Sequence, residues 1–84
     1  MRLWDLATPA LVVDVDRFEA NLRTMRDAYA GGATSLRPHA KTHKCPVIAR
    51  QQLDLGAIGI AVAKISEAEV MVEAGVEPLL ITSP

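Results

Sequence analysis

Leu36-Arg37-Pro38-His39-Ala40-Lys41-Thr42-His43-Lys44-Cys45-Pro46 is the stretch on which the reading of this chain turns. Five of its eleven residues can carry a positive charge. Arg37, His39 and Lys41 stand two apart, the repeat of a β-strand. That spacing puts them on one face and Leu36, Pro38 and Ala40 on the other. The pattern predicts a strand over 36–41 and a connecting loop over 42–45. Pro46 suits the first position of a helix, where its missing N–H leaves no bond unmade. Like charges set side by side repel, so a row of cations ending in a lysine calls for a chemical reason.

On the C-terminal side, Val47, Ile48, Leu53 and Leu55 mark a helix over 46–55, with Gly56 as its terminator. Ile58 to Ala63 is nearly all apolar, as in a strand buried on both faces. Ser66 and Glu69 have capping-box spacing and predict a helix from 67 to about 74, closed by Gly75. Leu79 to Thr82 reads as a last short strand. On the N-terminal side, Ala10 to Val15 is Val-rich and predicts another strand. Asp16 and Glu19 form a second capping box. Phe18, Leu22, Met25 and Tyr29 then recur at helical spacing, so a helix is expected over 17–30 with these four on its core face. Gly31-Gly32 ends it.

The order is therefore strand, helix, strand, helix, strand, helix, strand. Alternation of this kind means parallel βα units in an α/β fold. An open doubly wound sheet and a (β/α) barrel both fit. A barrel needs about 250 residues, so this chain could supply only its opening units. An open sheet would usually carry G-x-G-x-x-G after a strand, and that is absent.

Composition narrows the function classes. The chain has 84 residues, half of them apolar, and a formal net charge of −1. That balance suits a globular protein and gives no support to nucleic-acid binding. One cysteine cannot form an internal disulfide, which points to a reducing compartment and a cytoplasmic location. The N-terminal residues lack a signal-peptide pattern, and no apolar run approaches the roughly 20 residues that cross a bilayer. The sequence stops soon after a strand, as a piece of a longer protein would.

Ligands of parallel βα folds gather at the C-terminal ends of the strands, and Lys41 falls at such an end. A lysine amine is a nucleophile only when neutral. Desolvation and neighbouring positive charge both favour that form, and Arg37, His39, His43 and Lys44 are placed to supply the charge. This is the environment of a Schiff-base lysine. The plainer reading is a solvated basic loop over a strand end. His39, His43 and Cys45 raise a metal site, although their spacing matches no standard zinc pattern; hydrogen bonding by His39 in a polar interior is the simpler role. Cys45 could be activated by the helix behind it or be merely buried. Asp14 reads as a solvent-facing strand residue. Lys64 could share a pocket with Lys41 or simply open a helix.

Arg37-Pro38-His39-Ala40-Lys41-Thr42-His43-Lys44 resembles the cofactor-lysine segment of D-threonine aldolases and the related metal-dependent D-serine dehydratases. These are alanine racemase-like, fold-type III enzymes of pyridoxal 5′-phosphate (PLP). Thr8 to Asp14 with Phe18 to Leu22, Lys64 to Ala68, and Ala74-Gly75 before Leu79 to Ile81 resemble other parts of the same family. The resemblance implies the opening units of a PLP-binding (β/α)8 barrel over 16–84. It assigns 1–15 to a strand of a second β domain. It implies Lys41 as the Schiff-base lysine, with His39 beside the cofactor, and Lys44 as a loop residue. The implied reaction splits a β-hydroxy-D-amino acid, as D-threonine to glycine and acetaldehyde. PLP acts as electron sink, and a divalent metal (Mn, Mg or Zn) activates the hydroxyl. The implied parent is a homodimer acting on a small D-amino acid. The same family contains D-serine dehydratases and D-3-hydroxyaspartate aldolases. A PLP carrier or phosphate-binding protein without turnover is the rival from another class.

Overall fold

A computed structural model describes residues 2–82. After a 3-10 turn at Leu3–Asp5 come helix α1 (Val15–Tyr29), helix α2 (Pro46–Asp54), strand β1 (Ile60–Val62), helix α3 (Ile65–Glu73) and strand β2 (Leu79–Ile81). β1 and β2 run parallel, with Ile60 opposite Leu79 and Val62 opposite Ile81. The cationic segment lies along the other edge of β1, also parallel, joined at His39 and Ala61. Three chain segments thus lie side by side in sequence order, with α2 and α3 as the crossovers.

The expected strand over 36–41 contracts to that single bridge, for three reasons. Ala40 donates to the Ala61 carbonyl and Ala61 to the Pro38 carbonyl, each at 2.8 Å. Below them, Pro38 has no N–H with which to continue the ladder. Above them, the Ala40 carbonyl is taken by the Lys44 N–H at 2.8 Å. The Ala63 N–H goes to a carboxylate, Glu67 Oε1, at 2.9 Å.

The core lies on one face of this small sheet. Ile60 and Val62, both 0% exposed, pack with Ala40, Ala49 of α2, Met71 of α3 and Val76. Period-two alternation then leaves Ala61 and Leu80 on the other face, which no described helix covers. Gly59 shares that face, and its missing Cβ matters. A methyl group there would collide with the Arg37 guanidinium and lie 2.9 Å from the Pro78 carbonyl oxygen. Arg37 can lie across the sheet only because residue 59 is glycine. α2 starts at Pro46 as expected, and Gly56 and Gly75, at φ of 103° and 78°, follow α2 and α3.

Several local expectations are corrected. α1 starts at Val15, and its cap is Asp14, whose Oδ1 accepts from the Arg17 N–H at 3.1 Å; Asp16 lies inside the first turn. α3 opens at Ile65 with Lys64 at the cap position, so Glu67 rather than Glu69 reaches back to the free N–H groups. No strand forms over 10–15, where Leu11 is 92% exposed. A lone strand with no neighbour has nothing to bond to. Nor does α1 bury any residue. Its apolar side borders a cavity of about 520 Å³, shared with Leu36, Pro38 and Leu55. Phe18 and Leu22 are half-buried, while Met25 and Tyr29 are exposed. No described helix is long and apolar enough to cross a membrane.

Candidate active site

The alternation expected of the cationic segment holds. Ala40, 1% exposed, turns into the core, and its neighbours His39 and Lys41 therefore take the uncovered face, with Arg37 two residues below. In the parallel register, Arg37 lies level with Gly59, and His39 with Ala61 and Leu80. Lys41 lies level with Ala63 and Thr82, one step beyond the last bridged residues. The row next to the cations is thus Gly59, Ala61 and Ala63, and nothing bulky on β1 competes for the space above it. Lys41 itself is exposed and begins the turn that leads to α2.

His39 is engaged at both ring nitrogens. Nδ1 accepts from the Lys41 backbone N–H at 3.1 Å, and Nε2 lies 3.0 Å from Thr82 Oγ1. Neither nitrogen is left for a ligand, so only the ring face is offered to a bound molecule. Thr82 was not singled out in the sequence. Its parity with Leu80 was the available signal, because it sets Thr82 on the face of the cations.

The other expected members of the cationic group go elsewhere. His43 points toward α2, where its Nδ1 accepts from the Cys45 N–H at 2.8 Å. An accepting Nδ1 leaves the proton on Nε2, and that buried nitrogen has the half-buried Gln52 side chain, with its buried Oε1, as neighbour. Burial pushes the His43 pKa below its ordinary value, opposed by Gln52. Lys44, in the left-handed region at φ 52°, sends its Nζ to within 3.6 Å of Glu67 Oε2. Glu67 is nearly buried; the Ala63 N–H, then the Lys64 N–H and the Lys44 charge, hold its carboxyl below the usual carboxylate range against its partial desolvation. Lys64 lines a cleft of about 250 Å³ with Lys44, Glu67 and Met71, and Lys41 is not part of it. Cys45 is half-buried ahead of α2. Among the described residues, no three His, Cys, Asp or Glu side chains converge as metal ligands, and His39, His43 and Cys45 do not form one. Lys41 thus keeps only Arg37 and His39 as companions on its face.

His43 carries a pH prediction. Its folded-state pKa is lowered, so the unfolded chain binds the proton more readily. Stability contributed by neutral His43 is then complete above the unfolded pKa of about 6.5 and is lost as pH falls below it. Urea unfolding across pH should show a free energy that rises with pH up to that point. His43→Asn, whose Oδ1 can take over the Cys45 N–H, should flatten the rise.

Known proteins resemble this chain in sequence and in fold. Residues 13–84 match the family described as alanine racemase, N-terminal domain. A D-threonine aldolase from Arthrobacter sp. is 51% identical over 76 residues, covering 90% of this chain and 20% of that protein. A D-threo-3-hydroxyaspartate dehydratase from Delftia sp. is 40% identical over 78 residues, 93% of this chain and 20% of its own length. The crystal structure of D-threonine aldolase from Filomicrobium marinum superposes with a TM-score of 0.90 at 54% identity, over 96% of this chain and 22% of that one. The chain spans about a fifth of the length of the relatives it matches.

Proposed function

As a member of the alanine racemase N-terminal domain family, this chain is, we propose, the cofactor-lysine portion of a PLP-dependent lyase that splits D-threonine into glycine and acetaldehyde. The observation that carries the reading is the position of Lys41. It is an exposed amine in the turn that follows the parallel bridge at His39, on the C-terminal side of the segment and beside small residues. The residues fit the cofactor: an amine is present to join its aldehyde, and Ala61 and Ala63 leave space alongside. When bound, PLP supplies an electron sink for the pair of electrons left on Cα as the Cα–Cβ bond breaks.

In the reaction the β-hydroxyl gives up its proton, acetaldehyde departs, and a proton returns to Cα. Lys41 would hold the cofactor through its amine, and it is the group of this chain that would hold the proton destined for Cα. His39, with both ring nitrogens engaged, would offer the cofactor its ring face, and Arg37 would keep positive charge on the same segment. A divalent metal (Mn, Mg or Zn) belongs to the proposed parent activity, and no described cluster of this chain supplies its ligands. The three parallel segments open a (β/α)8 barrel over 16–84. Residues 1–15 pair with a second β domain, which gives the exposed Leu11, Val12 and Val13 a partner. The parent works as a homodimer in the cytoplasm.

The parent protein, incubated with D-threonine, PLP and Mn, should yield equal amounts of glycine and acetaldehyde. A chelator should abolish the activity and Mn restore it. A 2-oxo acid with ammonia from β-hydroxy-D-amino acids would instead establish a dehydratase, the activity named for the Delftia relative. Turnover indifferent to chelation would remove the metal.

A further inference from the structure

We propose that Thr82 and His39 are positioning residues that together tie the backbone of Lys41 to the third segment of the sheet. The proposal rests on the assignment of Lys41 as the cofactor lysine and adds Thr82 to the site.

The bonds themselves define a direction. A backbone N–H can only donate, so His39 Nδ1, which accepts from Lys41 at 3.1 Å, carries no proton. In the neutral ring the proton is then on Nε2, which donates to Thr82 Oγ1 at 3.0 Å. The Thr82 hydroxyl in turn donates to the Val62 carbonyl at 3.3 Å. Each hydrogen has one place, and the chain runs from the Lys41 N–H through the imidazole and the hydroxyl into the backbone of β1.

The span is long. His39 and Thr82 belong to the outer two of the three segments, two strand spacings apart, or about 9.6 Å. No backbone bond can cross that distance. The imidazole can, because Ala61 lies between the segments and presents only a methyl group; Ala61 is 6% exposed. Among the described residues this is the one side-chain hydrogen bond that joins the cationic segment directly to the segment of β2. It also acts where the ladder stops. The last ladder bond is the one donated by Ala40. The N–H of Lys41 points to the opposite edge of the segment, where no described strand pairs with it, and His39 Nδ1 is its acceptor. An amine that must meet an aldehyde at one point needs its backbone held, and here a side chain does what the sheet no longer does.

Loss of the hydroxyl frees Nε2 of its acceptor. The ring can then take the other tautomer, in which an Nδ1 proton opposes the Lys41 N–H and the tie is broken.

The test uses the full-length parent with ¹⁵N-labelled histidine, wild type against Thr82→Val and Thr82→Ser, with the His39 resonances assigned by His39→Gln. In the wild type, His39 Nδ1 should resonate as an unprotonated nitrogen and Nε2 as a protonated one. Thr82→Val should mix the two states and weaken PLP uptake, titrated by absorbance, by about 2- to 10-fold, the effect of one hydrogen bond. Thr82→Ser should restore both. A protonated Nδ1 in the wild type would overturn the proposal. So would a Thr82→Val protein with the wild-type ring signals and PLP affinity, as would a Thr82→Ser protein no better than Thr82→Val. A wild-type parent that takes no borohydride-stable PLP label would overturn the lyase assignment instead, whatever the ring signals show.

Discussion

Lys41→Ala in the full-length parent should abolish borohydride-trapped PLP label and lower D-threonine cleavage by about 10³-fold or more. On the proposed assignment two losses coincide, the amine that would anchor the cofactor and the group that would return a proton to Cα, and such a transfer alone contributes about 10²- to 10⁴-fold. Peptide mapping after reduction should place the wild-type label on Lys41. The geometry sets the two neighbouring lysines apart. Lys44 is paired with Glu67 at 3.6 Å, and Lys64 stands at the cap of α3, in a cleft that does not include Lys41. Lys44→Ala should therefore keep the label. Label on Lys44 or Lys64 would overturn the assignment. A Lys41→Ala protein that still cleaved D-threonine at the wild-type rate would overturn the chemistry altogether.

Ile60→Ala should cost the folded protein about 2–5 kcal/mol, the usual range for emptying a filled core position. Ile60 is 0% exposed on the middle strand and packs within the cluster that joins both crossover helices to the sheet. A cavity there has helices on one side and hydrogen-bonded backbone on the other, so little can collapse into it. Against a typical total of about 5–15 kcal/mol, the loss is a large fraction of the stability. Val72→Ala is the matching control. Val72 is 62% exposed on α3, and its truncation should change stability by less than about 0.5 kcal/mol. Urea unfolding of the parent and both variants measures the two effects. Equal midpoints would mean that the core does not lie where the burial of Ile60 puts it.

Much of this was legible along the chain because it depends on near neighbours. The two-residue spacing of Arg37, His39 and Lys41 placed them on one face, and Ala40 is buried opposite them. Pro46 opened its helix and Gly56 and Gly75 closed theirs, since backbone chemistry at those positions is local. The caps were harder. Asp14 and Asp16 are equally good acceptors on paper, as are the spacings Ser66 to Glu69 and Lys64 to Glu67. Where the chain leaves the preceding segment decides between them, and that is set by packing. The apolar stripe of α1 was read correctly as a stripe. Its burial depends on what lies opposite, and within the described residues that is a cavity.

The helix–strand alternation from Pro46 onward and the parallel direction of the strands were settled by the residues in line; the expected first strand over 10–15 was not, because it had no neighbour to pair with. The fate of the charges around Lys41 was settled in space. His43 turned to α2 and Lys44 to Glu67 because an imidazole and an ammonium seek partners the linear pattern does not place beside them. His39 met Thr82, 43 residues away, because parallel strands in one sheet bring together residues that two crossover helices and the middle strand separate in the sequence.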